Sequence, residues 1–108
     1  MVEKHYPCAV SNNKVIERIL EDDHAAVNHM LLPTGTALPE HFANSHVYMI
    51  VARGAVTLRL DDQPDHTYAA PSVITIPFGT KMNAGNHHPD LLELFVVKAP
   101  APAAMGGR

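Results

Sequence analysis

Apolar and polar positions alternate most clearly from Ala55 to Leu60, where Val56, Leu58 and Leu60 take turns with Thr57 and Arg59. A period of two puts those three apolar side chains on one face of an extended chain, so this segment is predicted as a half-buried strand. The run from His46 to Ala52, rich in Val, Ile and Tyr, precedes it, and Arg53-Gly54 between the two predicts a hairpin. Asp61-Asp62-Gln63-Pro64-Asp65 is a turn cluster, and β-branched Val73-Ile74-Thr75-Ile76 is a strand stopped by Pro77-Phe78-Gly79. Asn83-Ala84-Gly85-Asn86 reads as the opening of a polar loop through Pro89-Asp90, followed by an apolar strand from Leu91 to Val97 that ends before Pro100. Val27 to Leu32 is another strand, closed by Pro33-Thr34-Gly35 with the glycine placed for a type II turn. Val15 to Leu20 is ambiguous: its four apolar residues suit one helical face, whereas alternation splits Val15 and Ile19 from Ile16 and Leu20. Strand is preferred. Short strands at a spacing of roughly ten residues imply an all-β sandwich or barrel with little helix.

Composition narrows this without changing it. A chain of 108 residues makes one domain, and the surface scaling of folded proteins has it bury roughly 65% of its extended surface. It is 46% hydrophobic and 18% charged with a net charge of −3, which speaks against disorder and against nucleic acid as a partner. The single cysteine, Cys8, excludes an intrachain disulfide and a Cys-only zinc site and fits a reducing cytoplasm. Cys8 also lacks a local basic cluster, so it reads as an inert thiol. The first ten residues lack a signal-peptide core, and no apolar run is long enough to span a membrane, so a cytoplasmic protein with no membrane partner is expected. Eight histidines are the unusual feature.

The glycine, proline and histidine spacing adds a family. Gly35, His41 and Gly54 stand at three positions of the pattern G-x5-H-x-H-x3-E-x6-G, with Ala43 in the second His place and Val47 in the Glu place. Pro77, Gly79 and Asn86 fit G-x5-P-x-G-x2-H-x3-N, with Pro71 in the first Gly place and Met82 in the His place. Over roughly residues 26 to 98 the chain thus resembles the cupin family, of the small single-domain conserved-barrel kind. The resemblance implies a jelly-roll β-barrel of two antiparallel sheets; before it lies an N-terminal segment, 1–25, with a candidate dimer-forming strand, and after it the Pro, Ala and Gly composition of 99–108 reads as a flexible tail. The resemblance also implies a divalent metal held by three His and one Glu inside the barrel.

One of those four ligands is kept. A lone imidazole does not hold a first-row ion, so no metal or other cofactor is expected at this place. A rebuilt site would draw on His41 with His46 or His29: His46 falls on the opposite face from Val47, and His29 would have to point inward to meet His41. Alternation directs His41, Ala43, Val47, Met49 and Val51 inward, facing Met82. His41, Ala43, Val47, Met49 and Met82 then line an apolar ligand pocket anchored by His41. His5, His24 and His66 are assigned no role, and the neighbouring rings of His87-His88 diverge in a loop. No nucleophile elbow, P-loop or dinucleotide fingerprint is present.

Three function classes follow. The first is a metal-free cupin that binds a small molecule, as a sensor or accessory protein. The second is a divergent metal-dependent enzyme of dioxygenase or isomerase type. The third is a structural dimer module. A homodimer is expected because Val2 to Leu20 carries an apolar stripe that the barrel motifs leave unused.

Overall fold

Nine strands form, most of them on alternating or β-branched runs: β1 (Val15–Glu21), β2 (Ala26–Leu32), β3 (His41–Phe42), β4 (Val47–Arg53), β5 (Ala55–Leu60), β6 (His66–Ala69), β7 (Ser72–Ile76), β8 (Lys81–Gly85) and β9 (Leu92–Lys98). The computed structural model describes residues 2–105. Its strands make a five-stranded sheet in the order β1-β2-β9-β4-β7 and a four-stranded sheet in the order β3-β8-β5-β6. Every pairing is antiparallel, which gives the two-sheet all-β architecture expected. No helix among the described residues is long and apolar enough to cross a membrane.

The core lies between the sheets. Met30 and Leu32 of β2, Val47, Met49 and Val51 of β4, Leu92, Leu94 and Val96 of β9 and Ile76 of β7 meet Val56 and Leu58 of β5 and Met82 and Ala84 of β8. Each such Val, Leu, Ile or Met side chain fully withdrawn from water contributes about 1.5–3 kcal/mol, and alternation leaves its neighbours for the outer faces.

Gly54 marks a difference from the sequence reading. The strands on either side of it do not pair as a hairpin: β4 lies between β7 and β9, and β5 between β6 and β8. Gly54 is the corner where the chain crosses from one sheet to the other. It has φ 80°, and a Cβ there would stand 2.5 Å from the Leu91 carbonyl oxygen. β5 instead forms its hairpin with β6, turned by the Asp61–Asp65 cluster.

The polar loop expected at 83–86 is also corrected. Residues 83–85 belong to β8, where Asn83 sits opposite Arg59 and Ala84 opposite Leu58. Asn and Gly are poor strand formers, and pairing with β5 overrides that preference. The preference for strand over helix in 15–20 holds, with β1 as an edge strand against β2. Residues 99–105, read as the start of a mobile tail, run back onto the barrel. The Ala99 amide donates to the His46 carbonyl at 3.1 Å, the Ser45 hydroxyl donates to the Pro100 carbonyl, and Ala101 is buried before a 3-10 helix, Pro102–Met105. The remainder of that tail, 106–108, lies outside the described residues.

Candidate functional site

The barrel interior is where the motif residues converge, and its chemistry is hydrocarbon. Ala43, Val47, Met49 and Met82 are buried and belong to one cluster with Val51, Leu58 and Leu94. An alanine, a valine and a thioether at the three altered ligand positions offer no hard or borderline donor set, so the interior does not fit the metal centre that the cupin resemblance implies. His41, expected as the inward anchor, is exposed. It sits opposite Met82 in the β3–β8 pairing, but β3 is a two-residue edge strand, and its Nδ1–H turns back to the Pro39 carbonyl at 3.0 Å.

The other two histidines do not join it. His46 is exposed just before β4, on the opposite face from buried Val47 as alternation requires. His29 cannot meet His41, because Met30 and Leu32 take the inward positions of β2 and turn it to the outer face of the five-stranded sheet. There it is fully buried. Its Nδ1 is 2.8 Å from Glu17 Oε2 and its Nε2 2.7 Å from Glu93 Oε2. The ring packs on Phe95 with centroids 4.8 Å apart. The Ala9 amide, donating at 2.9 Å, and then the His29 ring hold the Glu17 carboxyl below the ordinary carboxylate range. Cys8 completes the group: among the described residues, one set of three or more His, Cys, Asp or Glu side chains comes within ligating reach, namely Cys8, Glu17 and His29.

The outer face of the four-stranded sheet carries a second feature. Thr57 and Arg59 of β5 alternate with buried Val56 and Leu58, and Asn83 of β8 alternates with buried Met82 and Ala84, so all three point away from the core. With Asp65, His87, Ala37, Leu38 and Gly85 they line a depression of about 220 Å³. Neither Arg59 nor Asp65 has an ion-pair partner among the described residues. Asn83 is held by its Nδ2–H, which donates to Glu40 Oε2 at 3.0 Å. Gly85 keeps the floor open, because a Cβ there would come within 3.1 Å of the Ala37 Cβ and 3.4 Å of His87 Nε2.

Sequence reading missed Arg59, Asp65, Asn83 and His87, and no local motif joins them. The only signal was the outward phase of Thr57 and Arg59, which says that they are exposed but not what faces them. Cys8, Glu17 and Glu93 were missed for the same reason, since Glu17 meets His29 only through the β1–β2 register.

No family model matches the chain. It is 41% identical over 103 residues to an uncharacterized protein of Methanocaldococcus jannaschii, across 94% of this chain and 89% of that protein. The crystal structure of an RmlC-like cupin family protein with a double-stranded β-helix fold from the same organism is similar with a TM-score of 0.91 at 41% identity, over 94% of each chain. A Cupin 2 conserved barrel domain protein from Salinispora arenicola shares the fold, with a TM-score of 0.77 at 18% identity over 97% of this chain and 93% of that one. The two interlocked antiparallel sheets, the Gly35, Gly54 and Gly79 turns at positive φ and the 41% identity along nearly the full length of both chains lead to one conclusion: the chain belongs to the RmlC-like cupin family.

Proposed function

We propose that this cupin binds a small polar molecule on the outer face of its four-stranded sheet, with no metal centre inside the barrel. The observation that carries this reading is the depression with Arg59 and Asp65 both free of ion pairs. A cation and an anion facing the same space, with the Thr57 hydroxyl and the Asn83 amide beside them, suit a ligand that has a carboxylate and an amine or hydroxyl. Its volume of about 220 Å³ suits a ligand the size of an amino acid or hydroxy acid. A dioxygenase or isomerase built on the family's interior metal would need donors that Ala43, Val47 and Met82 do not supply.

The test is calorimetric titration with glutamate, malate and tartrate. At least one should bind, and Arg59→Ala should weaken it tenfold or more while leaving the melting temperature near that of the wild type. Absence of binding by all three, or binding indifferent to Arg59→Ala, contradicts the reading.

The outer face of the five-stranded sheet supports a homodimer. Val73, Ile50 and Phe95 lie side by side across β7, β4 and β9, and Val73 is 66%, Tyr48 43% and Ile50 36% exposed. An exposed apolar face of this kind is a pairing surface for a second copy. Sedimentation should give about twice the 11.7 kDa chain mass, and Ile50→Lys with Val73→Lys should give monomer. A wild-type monomer at tens of micromolar contradicts the dimer.

A further inference from the structure

We propose that Cys8, Glu17 and His29 form a divalent-cation site on the outer face of the five-stranded sheet, suited to zinc, with Glu93 as the residue that positions His29. It lies on the other side of that sheet from the barrel interior. It is independent of the small-molecule depression, which is on the other sheet.

His29 is the centre of the argument. It is fully buried between two carboxylates, on a sheet face whose neighbouring residues include Leu31 and Phe95. A neutral imidazole carries one N–H. With that hydrogen on Nε2 it donates to Glu93 Oε2 at 2.7 Å, and the Nδ1 lone pair is left aimed at Glu17 Oε2 at 2.8 Å. In that tautomer Nδ1 and Glu17 Oε2 present two donor atoms toward one shared position. The Glu93–His29 contact is the carboxylate–histidine arrangement that fixes the tautomer of a metal-ligating imidazole.

Cys8 supplies the third donor. Its Sγ, a Glu17 carboxylate oxygen and a His29 ring nitrogen all lie within 4.8 Å of one another. Tetrahedral zinc, with bonds of about 2.0–2.3 Å, sets its donor atoms roughly 3.3–3.8 Å apart. The three side chains therefore reach that geometry by a small opening of the Nδ1–Oε2 contact and a small approach of the thiol. The Ala9 amide, bonded to Glu17 at 2.9 Å, anchors the residue next to Cys8 at the site. A thiolate, an imidazole and a carboxylate select a borderline ion such as zinc over magnesium or calcium, which take oxygen donors. Cys8 and Glu17 are only partly buried, so the fourth position opens to solvent and holds a water. Binding releases the thiol proton to solvent and fastens the N-terminal segment to the sheet.

Chelator-washed full-length protein titrated with Co(II) provides the test. One equivalent should bind with a near-ultraviolet thiolate-to-cobalt charge-transfer band, and Zn(II) should displace it. Cys8→Ser should abolish the band, and Glu93→Gln should keep it while weakening affinity roughly 10–100-fold. Far-UV circular dichroism confirms that each variant is folded. A wild type with no charge-transfer band overturns the site whatever the variants do, and so does a band that survives Cys8→Ser. Unchanged affinity in folded Glu93→Gln overturns the positioning role of Glu93.

Discussion

Asn86 shows what a motif residue does once its chemical partners are gone. It is fully buried, and its Nδ2 donates to the Leu32 and Asp90 carbonyls, each at 2.8 Å, while its Oδ1 accepts from the His88 amide at 2.9 Å. Its backbone amide and carbonyl bond Thr36 and Gly35 on the neighbouring loop. Asn86 is thus a staple between the end of β2 and the loop after β8. Asn86→Asp keeps the shape but sets an acceptor against two carbonyl oxygens, leaving groups unsatisfied that cost about 1–3 kcal/mol each. A loss of about 2 kcal/mol or more in urea unfolding is expected, and a loss under 0.5 kcal/mol would contradict the staple. The identity of Asn86 could be read from spacing, but this role could not, because the Leu32 carbonyl it serves closes β2, far away in sequence, and only the folded sheets bring it beside Asn86.

Gly54 plays the same part at the scale of elements. It joins β4 to β5 at φ 80° with the Leu91 carbonyl 2.5 Å from where a Cβ would be. Gly54→Ala therefore meets both a left-handed backbone and a clash, and should cost upwards of about 2 kcal/mol in a thermal or urea melt; stability equal to the wild type would mean that the corner is not built this way. Apart from the edge strand β1, the strands legible in the sequence, β2, β4, β5, β7 and β9, are those whose apolar or β-branched runs face the core. β6 and β8 were not. β6 is an exposed edge strand paired only to β5, and β8 buries a methionine and two small residues, Ala84 and Gly85, among polar ones. Their extended form comes from hydrogen bonds to β5, which local pattern does not record. The same blindness produced the false hairpin, since alternation in β4 and β5 says which face is buried but not which sheet each strand joins.

For the whole molecule, the fold was legible because turn glycines and strand period survive in the sequence, whereas the candidate sites were not, because each is assembled across strands. Arg59 and Asn83 are brought opposite by the β5–β8 register, and Glu17 and His29 by the β1–β2 register. The barrel keeps its scaffold while Ala43, Val47 and Met82 turn the interior into core, and the unpaired charges gather outside it. We propose that binding sits with those charges on the outer face and not in the interior. Amide chemical-shift mapping of the protein with glutamate, malate or tartrate tests it most directly. Shifts clustered at Thr57, Arg59, Asp65, Asn83 and His87 are expected; shifts clustered instead at His41, Val47, Met49 and Met82, or none at all, would contradict it.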